Sequence, residues 1–521
     1  MHGLYIAGVI LYWLIMTLAV VHVVMDNRQP AKTMAWVLVI LFVPVVGFVL
    51  YLFFGVNTRR ERMVSQRSLD QLSKRSMLGF VEQQNLQLPE RHLPLIDLYI
   101  NQNFSLPFKD NDLQLLCDGE EFFPSLFQAI GAARDHIHID LYIIEDDPLG
   151  MLVSDMLIDK ARQGVEVRLI YDDVGCWNVR HRFFERMREE GIEVVPFLPV
   201  RFPSFTSKVN YRNHRKLIII DGRVGFIGGM NIALRYYNKG TSPWRDLMVR
   251  VEGTGVYALQ RAFLIDWYFV DRTLISSRKY YPNVNVNVNE NVNDNDNVNV
   301  NENVNVNDNV NARHSTLNAQ RSARPKDACK ARTLNAQRST LIQIVTSGPV
   351  SPYPEIMQGY VHAISSAKHT IMMETPYFLP TEPVLFALKM AALRGVDVRL
   401  IVPLRSDARF VEWASRSYLR EVAEAGVRVW LYADGFLHSK FMVVDDSLCT
   451  CGSTNIDFRS FENNFESNII IYDAAMASRF RDVFLSDQHH ARQLSDVPER
   501  LHPPFLKRLL ESLTRLLAPL F

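Results

Sequence analysis

The chain has 521 residues, of which 48% are hydrophobic and 22% are charged, and its formal net charge is +1. This length gives room for two or three folded domains, and the composition is that of an ordinary folded protein. Because the charge is close to neutral, the sequence argues against a protein built around a basic nucleic-acid-binding groove.

Residues 1–57 are predicted to form a two-helix transmembrane hairpin. Residues 3–25 carry no formal charge and residues 34–55 carry none either, and each stretch can cross ~30 Å of hydrocarbon as a helix. No basic residue precedes the first stretch and no small-residue cleavage site follows it, which favours an uncleaved anchor over a signal peptide. The basic cluster after residue 58 is larger than that of the short loop, so we expect the rest of the chain on the cytoplasmic side.

Residues 58–112 are predicted to form a polar linker. After it, apolar strand patterns alternate with helical patterns, and several of the predicted helices end at a glycine. Residues 113–281 and 341–488 repeat this order, and RQGVEVRLI at 162–170 matches LRGVDVRLI at 393–401. The alternation predicts an α/β sheet covered by helices. The repeat predicts two similar halves related by pseudo-two-fold symmetry.

Each half carries the same polar pattern around a predicted buried strand. The pattern comprises His214, Lys216, Asp221 and Asn231 in the first half, and His438, Lys440, Asp445 and Asn455 in the second. The histidine and lysine of each copy lie two residues apart, so in a strand they point to the same face. One copy could be an ordinary core histidine, but two matched copies, with histidines 224 residues apart, indicate one shared site.

The residue types in this pattern suit phosphate chemistry. A neutral imidazole can attack phosphorus, and a charged imidazole can donate a proton to a leaving group. A lysine beside it suits the non-bridging oxygens of a phosphate. Two copies supply a nucleophile, a general acid and a phosphate clamp, so we expect no metal and no cofactor.

The duplicated pattern H-x-K-x4-D-x6-G-[GS]-x-N resembles the phospholipase D superfamily, and within it the bacterial cardiolipin synthases. Residues 28–55, 244–253 and 373–380 carry the closer resemblance. It implies two phospholipase D-like halves that transfer a phosphatidyl group from one phosphatidylglycerol to another, giving cardiolipin and glycerol through a phosphohistidine. It also implies a multi-pass enzyme of the bacterial inner membrane, with phospholipid rather than nucleic acid as its partner.

The resemblance also implies roles for single residues. His214 is expected to be the nucleophile and His438 the general acid and base, while Lys216, Lys440, Asn231 and Asn455 hold the phosphate. Asp246, 32 residues after His214, and Glu466, 28 after His438, match the family's carboxylate behind an imidazole. Asp221 and Asp445 are counted with the catalytic motif, although in the family they are mostly structural. Water or another alcohol as acceptor stays open, as does the oligomeric state.

Two further segments complete the chain. Residues 282–340 hold asparagine at every odd position from 283 to 311 and two copies of TLNAQRS, which predicts a disordered low-complexity insert. Residues 489–521 end in an amphipathic helical pattern. Its apolar stripe is compatible with a helix lying on a bilayer and equally with one packed on the core.

Overall fold

The computed structural model describes residues 2–26, 30–54, 86–200, 210–237, 243–282 without 274 and 276, and 340–520. Most of the predicted linker and of the predicted disordered insert therefore lies outside the described residues. The strands, numbered in chain order, are β1 Pro107–Leu116, β2 His136–Leu141, β3 Glu166–Asp172, β4 Glu193–Phe197, β5 Arg212–Asn213, β6 Lys216–Ile220, β7 Val224–Gly228, β8 Trp244–Arg245, β9 Met248–Gly253, β10 Thr340–Ser347, β11 Thr370–Glu374, β12 Phe378–Leu379, β13 Asp397–Pro403, β14 Arg428–Tyr432, β15 Phe436–Leu437, β16 Phe441–Val444, β17 Leu448–Gly452, β18 Ile456–Asp457, β19 Asn464–Ile471 and β20 Ala491–Gln493.

Most of these strands form one sheet, and the helices of the two halves cover both of its faces. They are Leu93–Asn103, Gly119–Ala132, Pro148–Arg162, His181–Glu189, Val256–Asp271, Glu355–Ser366, Glu382–Leu393, Arg409–Glu424, Phe458–Glu462 and Ala474–His489, and the tail adds Pro498–Leu501 and Phe505–Leu516. The fold is α/β, as the sequence predicts. The sheet begins at Pro107, earlier than the predicted boundary at residue 113.

One continuous sheet runs through both halves. Its order is β20-β14-β13-β11-β16-β17-β19-β10-β1-β9-β7-β6-β2-β3-β4. At its centre β1 and β10 pair antiparallel, with Phe108 opposite Ile342. Read outward from this pair, β9, β7, β6, β2, β3 and β4 correspond to β19, β17, β16, β11, β13 and β14, so the two predicted halves are confirmed as repeats of one strand order.

The two motif strands lie inside the sheet and pack on both faces. In β6, Leu217 and Ile219 join the core that the two halves share, whereas Ile218 and Ile220 join the core of the first half. This alternation is the strand period of two. The alternation also fixes the face of the sheet that Lys216 and His214 can reach.

The N-terminal segment forms three helices, His2–Asp26, Pro30–Phe42 and Pro44–Phe54. The break at residue 43 comes directly before a proline, whose missing N–H and ring interrupt a helix. Within the described part of the chain, no helix is both long and apolar enough to cross a membrane. The predicted transmembrane hairpin, with spans at 3–25 and 34–55, is thus not shown by the structure.

The C-terminal helix Phe505–Leu516 turns its polar side toward the protein. Glu511 is buried and pairs with Arg420 at 2.6 Å and with Arg416 at 3.5 Å, both on the helix Arg409–Glu424. The apolar side faces outward, and Phe505 and Leu506 are 76% and 78% exposed. Of the two alternatives that the sequence leaves open, packing of the stripe on the core is therefore wrong.

Candidate active site

Two short parallel ladders bring each motif histidine next to the opposite half. β5, which directly precedes His214, pairs with the start of β19, and the His214 N–H donates to the carbonyl of Phe465 at 2.9 Å. β15, which directly precedes His438, pairs with β8, and the His438 N–H donates to the carbonyl of Arg245 at 2.7 Å. Each ladder thus ends one residue before a carboxylate of the other half.

These ladders pair the histidines and carboxylates across the halves. His214 Nδ1 lies 3.0 and 3.1 Å from the two carboxylate oxygens of Glu466. His438 Nδ1 lies 2.6 Å from Asp246 Oδ2. A carboxylate at Nδ1 holds the proton there and leaves Nε2 unprotonated. Counted along the sequence, each carboxylate follows the histidine of its own half, but in the fold it serves the other one.

The two motif lysines are fully buried beside the imidazoles. Lys216 Nζ donates to the carbonyl of His214 at 2.7 Å, and Lys440 Nζ lies 2.8 Å from His438 Nδ1 and 3.7 Å from Asp246. Burial lowers the pKa of Lys216 to about 7 and that of Lys440 to about 8. A nearby anion stabilises a buried ammonium, so an anion in the site would raise the pKa of both lysines.

Burial favours the neutral form of both imidazoles. Burial lowers the pKa of His214 to about 4, and burial together with Lys440 and Lys216 holds the pKa of His438 well below its ordinary value. Burial raises the pKa of Asp246 to about 6. Burial would also raise the pKa of Glu466, but the neighbouring His214 and Lys216 outweigh it and lower that pKa.

Both motif asparagines line the same cavity as both histidines. The cavity has a volume of about 340 Å³ and also contacts Tyr142, Trp244 and Tyr377. Asn231 Oδ1 accepts from the Ile143 N–H at 3.0 Å, which fixes the orientation of its amide. This volume lies at the low end of the range for small-ligand sites.

Comparison with known families identifies the chain. The family model described as "Cardiolipin synthase, PLD-like domain" matches residues 126–267 and 360–488, and the model "Phospholipase_D-nuclease N-terminal" matches residues 14–55. The chain is 35% identical to the major cardiolipin synthase of Bacillus subtilis over 517 residues, which cover 96% of each protein. The chain belongs to the cardiolipin synthase family. The sequence predicted this membership from the duplicated motif together with residues 28–55, 244–253 and 373–380.

Other comparisons agree with this membership. A cardiolipin synthase of Geobacillus kaustophilus is 36% identical over 504 residues, which cover 95% of this chain and 90% of that protein. The crystal structure of a phosphatidylserine synthase from Haemophilus influenzae matches with a TM-score of 0.58 at 14% identity, covering 82% of this chain and all of that one. At this identity the likeness shows the phospholipase D-like fold alone.

Asp221 and Asp445 lie away from the imidazoles, one strand further along the chain. The Asp221 carboxylate accepts from the N–H groups of Arg134, Asp135 and His136 at 2.8 to 3.0 Å. The Asp445 carboxylate accepts from the three N–H groups of residues 368–370 at 2.7 to 2.9 Å. Both residues have positive φ, 53° and 48°. Both carboxylates therefore close a turn onto the neighbouring strand, which agrees with the mostly structural role that the resemblance implies for them.

Two buried carboxylate pairs behind the motifs were missed by sequence reasoning. Asp140 and Asp266 share Arg215, and Glu374 and Asp487 share Arg245. Burial and the neighbouring acid raise the pKa of Asp140 and of Glu374 well above their ordinary values. One signal was visible in the sequence. Arg215 lies inside the first H-x-K motif and Arg245 directly precedes Asp246.

Proposed function

We propose that this chain catalyses phosphatidyl transfer between two phosphatidylglycerol molecules, releasing cardiolipin and glycerol. The observation that carries the proposal is the pair of imidazoles on one cavity, each backed by the carboxylate of the opposite half and flanked by a buried lysine. Such a site supplies a nucleophile, a proton donor and two cations for a phosphodiester. The proposed chemistry draws on these side chains alone and requires no cofactor.

In the first step, Nε2 of one histidine attacks phosphorus and the bond from phosphorus to the glycerol oxygen breaks. The other histidine, which takes up a proton as the anionic phosphodiester binds, donates that proton to the glycerol oxygen, and glycerol leaves. In the second step, the same imidazole takes the proton from the hydroxyl of the second phosphatidylglycerol as its oxygen attacks phosphorus. The phosphorus–nitrogen bond then breaks and the first histidine is regenerated.

We assign His214 as the nucleophile and His438 as the general acid and base, following the resemblance to the superfamily. Glu466 and Asp246 hold the tautomer of their imidazoles and offset the charge that develops on them. Lys216, Lys440, Asn231 and Asn455 are proposed to bind the non-bridging oxygens and stabilise the transition state.

We further propose that the enzyme is anchored in the bacterial cytoplasmic membrane by a hairpin at residues 3–25 and 34–55, with the cavity on the cytoplasmic side. Residues 14–55 match an N-terminal family model, and the outward apolar stripe of Phe505–Leu516 supports contact with lipid. Extraction of membranes at high pH tests the anchor. An integral protein stays with the membrane, and release into the supernatant would contradict the proposal.

The transfer itself is tested with purified protein in detergent micelles that contain phosphatidylglycerol alone, with mass spectrometry of the products. Cardiolipin together with free glycerol is the expected outcome. Phosphatidic acid together with glycerol would make water the acceptor, and a product formed only after another alcohol is added would make that alcohol the acceptor. Either of these results would replace the proposed reaction and leave the histidine chemistry in place.

A further inference from the structure

The two halves differ at one arginine that follows each motif asparagine by four residues. Arg235 follows Asn231 and Arg459 follows Asn455. Arg235 forms an ion pair with Glu145 and lies 4.8 Å above the ring of Trp244. Arg459 lines the catalytic cavity, where its Nη2 donates to the carbonyl of Asn210 at 3.4 Å. Among the residues that the structure describes, no carboxylate lies within ion-pair distance of Arg459.

Strand register explains why only one of these arginines has an acidic partner. Ile144 bridges Ile232 in the first half, and Phe378 pairs with Ile456 at the same place in the second. The next residue is Glu145 in the first half and Leu379 in the second. The position that neutralises Arg235 is thus apolar in the other half, and Leu379 faces the same cavity as Arg459.

The two short parallel ladders beside the motif histidines also differ in charge and polarity. Arg212 and Asn464 pair beside His214, whereas Phe436 and Trp244 pair at the equivalent place beside His438. The rings of Trp244 and Phe436 lie 4.9 and 5.9 Å from the His438 ring. The ladder pair beside His214 is therefore cationic and polar, and the ladder pair beside His438 is aromatic.

One carboxylate lies near Arg459 without pairing to it. Asp457 accepts from the Ser460 N–H at 2.6 Å, and burial raises its pKa to about 6. Arg459 acts on this group through space and lowers that pKa in part. The guanidinium consequently keeps donor groups for a ligand in the cavity.

We propose that Arg459 binds the phosphodiester of the acceptor lipid, so that the enzyme selects phosphatidylglycerol over water and uncharged alcohols. This inference rests on the proposed function. The donor lipid brings one phosphate, which reacts between the two imidazoles, and the second phosphate in the cavity belongs to the acceptor. Three carbon atoms separate that phosphate from the attacking hydroxyl, so the group that binds it must lie away from the reacting phosphorus but in the same cavity, as Arg459 does. A guanidinium matches the two non-bridging oxygens of a phosphodiester.

The test compares two acceptors that use the same phosphohistidine. Cardiolipin formation needs an acceptor with a phosphate, whereas exchange of isotope-labelled glycerol into phosphatidylglycerol needs an acceptor without one. In the purified Arg459→Gln variant we expect cardiolipin formation to fall about tenfold or more. Glycerol exchange should stay within about twofold of wild type, which also shows that the variant is folded. Arg235→Gln is the matched control from the other half, and its ratio of the two activities should equal that of wild type.

A second pair of variants tests the same charge without removing the arginine. Leu379→Glu places in the second half the carboxylate that the first half has at Glu145, and should lower cardiolipin formation relative to glycerol exchange. Leu379→Gln has nearly the same size without the charge and should preserve the ratio. An unchanged ratio in both Arg459→Gln and Leu379→Glu, or an equal loss of the two activities in Arg459→Gln, would overturn the inference. A wild-type enzyme that exchanges glycerol and forms no cardiolipin would instead contradict the proposed function.

Discussion

The surroundings of His214 and His438 show how two equal motifs become unequal partners. His214 contacts Glu466, whose pKa is lowered, and its own Lys216 reaches the backbone carbonyl rather than the ring. His438 contacts Asp246, whose pKa burial raises to about 6, and the ammonium of Lys440 lies beside its ring nitrogen. An ionised carboxylate stabilises the cation formed when an imidazole is phosphorylated, and a neighbouring ammonium favours proton release. The difference supports the proposed assignment of His214 as nucleophile and His438 as acid.

The largest effect is expected from removing either imidazole. His214→Ala and His438→Ala should each lower turnover by on the order of 10³-fold or more, because both act on one phosphorus. Steady-state cardiolipin formation measures the loss, and thermal unfolding checks that the variants fold. With labelled phosphatidylglycerol, phosphohistidine should be trapped on His214. Substantial activity in one variant would contradict the shared site, and label on His438 would reverse the roles.

The carboxylates behind the imidazoles should give the next largest effects, of about 10²- to 10⁴-fold in kcat. Because the pairs cross between the halves, Glu466→Gln should slow phosphorylation of His214, and Asp246→Asn should slow proton transfer by His438. Rapid quenching of the reaction separates formation of the phosphohistidine from its breakdown. If Glu466→Gln left the formation rate unchanged, the cross-half pairing would have no catalytic role.

The lysines predict a pH dependence of substrate binding. Both are charged below their pKa values of about 7 and about 8 and neutral above them. The phosphodiester stays an anion throughout this range, so affinity should fall as the lysines lose their protons. The KM for phosphatidylglycerol should rise about tenfold between pH 6.5 and 9. A KM independent of pH would mean that the lysines do not hold the phosphate.

Asp221→Asn and Asp445→Asn should affect stability more than chemistry. Each carboxylate accepts three backbone N–H groups, and losing its charge should lower the free energy of unfolding by about 1–3 kcal/mol. Denaturant unfolding measures this change, while kcat at a permissive temperature should stay within about threefold of wild type. A kcat loss as large as that of the imidazole variants would return both residues to the catalytic set.

The smallest effect is expected from the insert between the halves. Deletion of residues 283–311 should leave cardiolipin formation unchanged, because the motifs and both halves remain intact. Product analysis under the conditions used for the full chain measures this. An inactive but folded deletion variant would show that the insert contributes to function.

Local sequence patterns predicted the repeated halves and, among the residues that line the cavity, both motif histidines and both motif asparagines. His214, Lys216 and Asn231 and their counterparts meet because one short strand repeats, and strand periodicity is visible in sequence. The cross-half pairing was not predictable, because it depends on the register of β5 with β19 and of β8 with β15. Each of these ladders holds two residues on a strand, too few to leave a pattern. The outward turn of the C-terminal stripe depends on Glu511, whose partners lie on a helix about 90 residues away.

The antiparallel pair of β1 and β10 at the centre of the sheet has a consequence for how such a molecule can assemble. A half on its own would present β1 or β10 as an open edge, and open edges recruit other strands. Two separate copies of a half could satisfy that edge only by meeting in solution, at a rate and extent set by their concentration. When the two halves are joined in one chain, their pairing is intramolecular, and every molecule holds one β1 edge for each β10 edge. The covalent link thereby replaces a concentration-dependent dimer with a sheet that closes within every molecule.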